Sequence, residues 1–210
     1  MEKKKHRFNK AWMQEHVNDH YVIEAKRLGY RARAAFKLLE IDERDRLIKP
    51  GQTIVDLGSA PGSWSQVAVA ALRGKGRVIA LDLLEMEPVP GVEFIQGDFT
   101  EDSALSAIER MLEGRAADLV LSDMAPNMSG VATVDQLRIM SLAELTLDFS
   151  DKWLKPDGAL LVKVFQGEGF DEFRRQMTAR FAKVGVRKPK ASRDRSNELF
   201  LLGQGKIRQA

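Results

Sequence analysis

The chain has 210 residues, 44% of them hydrophobic and 30% charged, which is enough to bury the core of one α/β domain, and no change of composition calls for a second domain. It has no cysteine, which excludes disulfides and thiolate metal sites. It has no apolar run near the roughly 18 residues of a membrane span, and no signal peptide follows its lysine-rich start, which predicts a cytoplasmic protein. We expect it to be a monomer. The net charge of +3 combines basic ends, with +5 over residues 1–49 and +6 over residues 183–210, with an acidic middle of −8 over residues 50–182.

The first 49 residues are predicted to be a basic helical extension of a single domain spanning residues 1–210. Five cations recur there within a short helical stretch, interleaved with Tyr30 and Phe36: Lys26, Arg27, Arg31, Arg33 and Lys37. If this extension and the basic last strands share one rim of the fold, they would attract a phosphate backbone. The alternative is an ordinary solvated surface. We favour RNA.

A glycine-rich turn follows the first predicted strand, residues 53–55, and leads into a helix over residues 65–72. The turn is Asp56-Leu57-Gly58-Ser59-Ala60-Pro61-Gly62-Ser63-Trp64. Gly58 and Gly62 allow a tight turn and close approach to a ligand. The spacing is not that of a pyrophosphate cradle, because Ala60 replaces a glycine and Pro61 lacks an N–H. This favours a nucleoside without phosphates, such as S-adenosylmethionine, over a dinucleotide.

The next two predicted strands, residues 78–82 and 92–98, both end in a carboxylate. Asp82 is placed to accept hydrogen bonds from the ribose hydroxyls of a bound nucleoside, and Asp98 suits the exocyclic amine of adenine. Either residue could instead cap a following helix, and for Asp98 this alternative has equal weight. Together with the turn, the strand ends predict a nucleoside site.

The rest of the chain continues to alternate helix and strand. The predicted helices cover residues 103–112, 136–153 and 171–182, and the predicted strands cover residues 118–123, 158–165, 183–188 and 198–203. Such alternation predicts an α/β fold with a doubly wound, mostly parallel sheet. The last two strands are joined by a loop too short for a helix, so we expect them to form an antiparallel edge pair.

Two charged residues are unexpected in a buried sheet. Lys163 interrupts an apolar central strand, so its ammonium must reach the strand end or find a partner. Asp123, at the end of the neighbouring strand, is a natural partner. A structural ion pair would explain both residues, but their position beside a nucleoside site favours a functional role.

The chain resembles the FtsJ/RrmJ family of S-adenosylmethionine-dependent ribosomal RNA 2′-O-methyltransferases, from Trp12 to Phe200. The motifs that carry the resemblance are Trp12-Met13-Gln14-Glu15-His16, Ala34-Ala35-Phe36-Lys37-Leu38, the glycine-rich turn, Ser122-Asp123-Met124-Ala125-Pro126-Asn127-Met128-Ser129-Gly130 and Lys163-Val164-Phe165-Gln166-Gly167-Glu168-Gly169. The resemblance implies a Rossmann-like class I methyltransferase with a seven-stranded sheet and an antiparallel terminal strand. It implies a catalytic set of Lys37, Asp123, Lys163 and Glu198, and cofactor contacts at Gly62, Trp64, Asp82, Asp98 and Asp123.

The implied reaction moves a methyl group from a sulfonium to a ribose hydroxyl, which requires alignment of the two centres and removal of a proton. Lys163 could be the base or could only steer the hydroxyl; the sequence leaves both roles open. We expect no metal, because no carboxylates or histidines have ligand spacing. The resemblance implies that the methylated nucleotide is a uridine in 23S ribosomal RNA of the large subunit, and that the reaction takes place on the assembled subunit. The alternatives are transfer RNA, an mRNA cap or a non-catalytic RNA-binding assembly factor; the turn disfavours a nicotinamide-dependent dehydrogenase.

Overall fold

A computed structural model describes residues 19–193 and 196–207 of the chain. The part of the predicted basic extension before residue 19, with its motif at Trp12, lies outside the described residues. The described part of the extension begins at the helix α1 (His20–Leu28), capped by the Asp19 side chain, which accepts a hydrogen bond from the Tyr21 N–H at 3.0 Å.

Seven strands form one sheet in the order β3-β2-β1-β4-β5-β7-β6. The strands are β1 (Thr53–Leu57), β2 (Arg77–Asp82), β3 (Val92–Gln96), β4 (Ala117–Ser122), β5 (Leu154–Phe165), β6 (Phe181–Arg187) and β7 (Glu198–Lys206). Strands β1 to β5 pair in parallel, and β7 lies antiparallel between β5 and β6. This confirms the predicted doubly wound sheet and its antiparallel end.

Helices cover both faces of the sheet. After α1 come α2 (Ala35–Asp45), α3 (Ser63–Leu72), α4 (Asp102–Leu112), α5 (Ala132–Trp153) and α6 (Phe170–Arg180). The apolar residues of α2 and α3, among them Leu38 and Leu72, pack on one face of the sheet, and those of α4, α5 and α6 pack on the other. Strand β4 serves both layers, since Leu121 faces the first layer and Val120 the second. Both are fully buried, as expected for a central parallel strand.

Several element boundaries differ from the predicted ones, and three of them are instructive. Helix α5 begins at Ala132 rather than at residue 136, and β5 begins at Leu154 rather than at residue 158. The first part of β5 is polar and irregular, with Asp157 at a φ of 63° and a register shift in its pairing with β4, so it lacks the apolar pattern of a strand. Phe181 begins β6 instead of continuing α6, because its side chain is buried in the core.

The antiparallel strand β7 begins at the carboxyl ends of the parallel strands. In its pairing with β5, Glu198 lies opposite Phe165 and Phe200 lies opposite Lys163. The first residue of β7 therefore lies close to the point where β5 ends. This register places Glu198 near Lys163, which the sequence spacing alone does not reveal.

Candidate active site

The glycine-rich turn connects β1 to α3 at the carboxyl edge of the sheet. Gly58 has a φ of 76°, and a Cβ there would lie 2.7 Å from Met124 Cγ and 2.8 Å from the Met124 backbone. Only glycine allows the chain after β4 to approach the turn so closely. The turn and the segment that follows Asp123 therefore pack directly against each other.

A cavity of about 570 Å³ opens beside this turn, which is within the range of small-molecule sites. It lies between the ends of β2, β3 and β4 and one side of α5. Its lining includes the predicted carboxylates Asp82, Asp98 and Asp123 together with apolar side chains such as Phe99 and Leu142. The fold thus brings three of the predicted cofactor residues to one cavity.

Asp82 and Asp98 already hold the backbone around the cavity. Asp82 accepts hydrogen bonds from the N–H of Ala60 and of Leu84, both at 2.8 Å. Asp98 Oδ1 accepts from the Thr100 N–H at 2.9 Å and from the Thr100 hydroxyl at 2.7 Å, and these bonds lower the pKa of its carboxyl. Asp98 is not the cap of α4, because Glu101 occupies that position.

Gly62 and Trp64 lie at the start of α3, and neither lines the cavity. The Trp64 side chain is buried, its Nε1 donates to the carbonyl oxygen of Ala34 at 2.8 Å, and its ring packs against Phe200 with 5.6 Å between centroids. Gly62 has a φ of 107° and is covered on its Cβ side by Val89. The side chain of Trp64 therefore packs in the core of the domain, between the turn and the neighbouring helix.

The four residues of the predicted catalytic set, here called the tetrad, meet at the edge of this cavity. Lys163 Nζ lies 3.2 Å from Asp123 Oδ1 and donates a hydrogen bond of 2.6 Å to the Asp123 carbonyl oxygen. Lys37 Nζ lies 3.9 Å from Asp123 Oδ1 and contacts both carboxylate oxygens of Glu198, at 2.7 and 2.8 Å. Cations and anions therefore alternate in the order Lys163, Asp123, Lys37, Glu198, and all four side chains are at most 16% exposed.

The opposite charges in the tetrad stabilise the ionised form of its carboxylates. Burial alone would raise the pKa of the Glu198 carboxyl, but the charge and hydrogen bond of Lys37, with help from Lys163, outweigh burial and lower that pKa. Asp123 Oδ1 is buried and, among the described residues, receives no hydrogen bond although two ammonium groups lie in ion-pair range. The two ammonium groups therefore stabilise this oxygen by their charge rather than by a hydrogen bond.

Asp56, to which the sequence assigned no role, is fully buried in β1. One of its oxygens accepts a hydrogen bond from the Ser65 hydroxyl at 2.6 Å, and the other has no partner in the described part of the chain. Burial, with smaller contributions from the charges of Asp123 and Asp82, raises the pKa of Asp56 to about 7 despite the Ser65 bond. The signal was present in the sequence, since Asp56 is a carboxylate inside an apolar strand, just as Lys163 is an ammonium inside one.

The segment after Asp123 is fastened by another buried carboxylate. Asp135, in the first turn of α5, accepts hydrogen bonds from the N–H of Ser129 at 2.6 Å, from the Ser129 hydroxyl at 2.7 Å and from the N–H of Gly130 at 3.0 Å. Arg138, one turn further along α5, lines the cavity and donates to the Asn127 carbonyl oxygen at 3.2 Å. Helix α5 therefore sets the shape of one cavity wall.

The chain matches the FtsJ-like methyltransferase family over residues 30–206, a region that includes the turn, the cavity and the whole tetrad. The chain belongs to this family. It is 66% identical over 195 residues to the ribosomal RNA large subunit methyltransferase E of Methylobacillus flagellatus, a match that covers 93% of this chain and 94% of the relative. It is 64% identical to the protein of the same description from Azoarcus sp., over 95% of this chain and 98% of the relative.

The fold of this methyltransferase is shared by solved structures. A crystal structure from Plasmodium falciparum, described as a ribosomal RNA methyltransferase, superposes with a TM-score of 0.77 at 28% identity and covers 86% of this chain and 100% of that chain. The resemblance stated from the motifs is thereby confirmed. Within residues 19–193 and 196–207, no helix is long and apolar enough to cross a membrane.

Proposed function

We propose that this methyltransferase transfers a methyl group from S-adenosylmethionine to a ribose 2′-hydroxyl in ribosomal RNA of the large subunit. The observation that carries the proposal is the position of Asp123, which both lines the cavity and pairs with Lys163. A cofactor in the cavity would therefore lie next to Lys163, which can bind the ribose 2′-hydroxyl. The relatives described as ribosomal RNA large subunit methyltransferases support the choice of RNA.

The residues around the cavity fit the proposed cofactor, which supplies an electrophilic methyl group on a sulfonium. Asp82 would accept hydrogen bonds from its ribose hydroxyls and Asp98 from its adenine amine, as the sequence suggests. Asp123, which lies in the same wall, suits a donor or a positive charge. With the Trp64 side chain buried in the core, we propose that Gly62 and Trp64 act through their backbone at the start of α3.

We propose that Lys163 binds the target hydroxyl. Its ion pair with the carboxylate of Asp123 and its hydrogen bond to the Asp123 carbonyl oxygen hold the ammonium at the end of β5. A third N–H on the same nitrogen can point toward a substrate oxygen. Lys37, which is paired with Glu198, is a second ammonium group near the same oxygen of Asp123.

We propose that only some of the described basic residues bind RNA, because others are paired within the protein. Arg31 donates to the carbonyl oxygens of Pro61, Glu87 and Pro88, and Arg27 is paired with Glu24. Lys37 belongs to the tetrad. The exposed Lys26 and the exposed Lys190 are better placed to meet phosphates. The role of residues 1–49 in RNA binding, the cytoplasmic location and the monomeric state remain predictions.

The test is methylation with labelled cofactor of four substrates lacking the modification: large ribosomal subunits, free ribosomal RNA, transfer RNA and capped mRNA. We expect label in ribosomal RNA, at a 2′-oxygen that resists alkaline cleavage, and we expect assembled subunits to be preferred. Label confined to transfer RNA or the cap would replace the proposed substrate. Binding of RNA without transfer of label to any substrate would favour the non-catalytic assembly factor.

A further inference from the structure

The loop between β6 and β7 is fastened to α2 directly beside the tetrad. Glu40 of α2 accepts hydrogen bonds from the backbone N–H of Lys190 at 2.6 Å and of Ala191 at 3.0 Å. Arg33 donates to the carbonyl oxygen of Ala191 at 2.5 Å. Ala191 and the next residue, Ser192, are buried. The loop is therefore held in place by side chains of the segment that also carries Lys37.

This fastening presents the Ser192 hydroxyl to Glu198. Ser192 Oγ donates a hydrogen bond of 2.8 Å to Glu198 Oε1, the same oxygen that lies 2.7 Å from Lys37 Nζ. Ser192 is only 3% exposed, so water does not readily replace this donor. The Glu198 carboxylate thus has two donors from two different elements, which restricts its rotation more than either could alone.

Among the residues that the structure describes, three cations also lie near Glu198, and each contacts or acts on it differently from Ser192. Lys37 reaches the carboxylate from α2, and Lys163 acts on it from β5 through its charge. Lys188, just after β6, donates to the Glu198 carbonyl oxygen at 2.6 Å rather than to the carboxylate. Ser192 is the neutral donor: it fixes the orientation of the carboxylate without adding a charge that would compete with Lys37.

We propose that Ser192 is a positioning residue for methyl transfer, which orients Glu198 and, through Glu198, holds Lys37 beside Asp123. The kinetic part of this proposal rests on the proposed function. Without the Ser192 hydroxyl, the Lys37–Glu198 pair keeps its charge but loses its fixed geometry. A displacement reaction is sensitive to such small misplacements of charged groups.

The experiment compares Ser192→Ala with Ser192→Thr, which keeps a hydroxyl, and with Ser150→Ala. Ser150 is a matched control, since it is fully buried and its hydroxyl donates to the Thr146 carbonyl oxygen inside α5. We expect Ser192→Ala to lower the single-turnover rate at saturating cofactor and RNA about tenfold, the scale of a lost hydrogen bond to a charged group. Cofactor affinity should not change, Ser192→Thr should recover part of the rate, and Ser150→Ala should keep the rate.

A second readout does not depend on the reaction. In ¹³C NMR of carboxyl-labelled glutamate, with the Glu198 signal assigned by its loss in Glu198→Gln, Ser192→Ala should raise the Glu198 titration midpoint by about half a pH unit, because the charged form loses a donor. A midpoint and a rate both equal to the wild type would overturn the proposal. If the wild type methylates no RNA, the proposed function fails, and the NMR midpoint alone then decides the role of Ser192.

Discussion

At the scale of single residues, Asp123 joins two sites that would otherwise be separate. Its carboxylate lies in the cavity wall, and its carbonyl oxygen and Oδ1 both meet Lys163. Because one residue serves both groups, a change at Asp123 would alter cofactor and substrate handling together. Lys163 is the more informative position for mutation, since it does not line the cavity.

Lys163→Arg separates the two roles that the sequence leaves open. Arginine keeps the charge and the donors but cannot lose a proton in a protein. If Lys163 is the base, both Lys163→Arg and Lys163→Ala should lose a factor on the order of 10²–10⁴ in single-turnover rate, the usual contribution of a positioned base. If Lys163 steers the hydroxyl, Lys163→Arg should keep more activity than Lys163→Ala.

The pH profile of the same reaction is the check on this reading. For a base, the wild-type rate should rise through the apparent pKa of the lysine, and the rise should be absent in Lys163→Arg. A wild-type rate that does not change with pH over the stable range would contradict the base role. Cofactor affinity measured by calorimetry serves as the control and should be retained in both variants.

Asp56 allows a prediction about stability and pH. Burial raises its pKa from the usual 3.8 to about 7 in the folded protein, so between about pH 4 and 7 the folded state keeps a proton that the unfolded chain releases. The stabilising contribution of the protonated form is therefore present at low pH and is lost as the pH rises through this range. Asp56→Asn cannot ionise. Relative to the wild type, its free energy of unfolding should increase by about 3 kcal/mol from pH 4 to pH 7.

The measurement is urea unfolding of the cofactor-free protein at a series of pH values. Asp148→Asn, on an exposed position of α5, is the control because it removes the same charge without a buried carboxyl. A constant difference between Asp56→Asn and the wild type at every pH would show that Asp56 is ionised in the fold.

At the scale of elements, the sequence predicted the strands better than the contacts they make. Apolar runs ending in Asp82 and Asp98 marked parallel strands whose tips meet at one edge, and the structure has them there. The early start of α5 was not visible, because its first turn has no apolar period and is set by Asp135 binding the preceding loop. The hydrogen bond from Ser192 to Glu198 was equally hidden, since it depends on how Glu40 and Arg33 hold the loop between β6 and β7.

Asp135 gives a prediction for the element that forms one cavity wall. Removing its carboxylate in Asp135→Ala leaves the amides of Ser129 and Gly130 without their acceptor, so the segment after Asp123 should open more often. We expect hydrogen exchange at these two amides to become roughly tenfold faster or more, and methyl transfer to slow. Asp148→Ala, on the same helix, should change neither. Unchanged exchange at both amides would show that the cavity wall does not depend on Asp135.

At the scale of the whole molecule, charge is divided between the two binding functions. The three carboxylates of the cavity belong to the acidic middle of the chain, whereas residues 1–49 and 183–210 are basic. The structure shows that several of the basic side chains hold the protein together, with Arg31 bound to three carbonyl oxygens and Arg187 paired with Asp45 at 2.6 Å. A count of cations from the sequence therefore overstates the number available to phosphates.

The salt dependence of binding tests this division. RNA affinity should fall steeply with salt, because each phosphate contact releases counterions, whereas cofactor affinity should barely change. Lys26→Gln and Lys190→Gln should each reduce the slope of log affinity against log salt concentration by about 1, the change expected for the loss of one phosphate contact. Lys75→Gln is the matched control: Lys75 is also exposed, but it precedes β2 and so lies at the opposite edge of the sheet from the cavity. An RNA affinity independent of salt, or an equal loss of slope in Lys75→Gln, would show that Lys26 and Lys190 do not form the RNA surface.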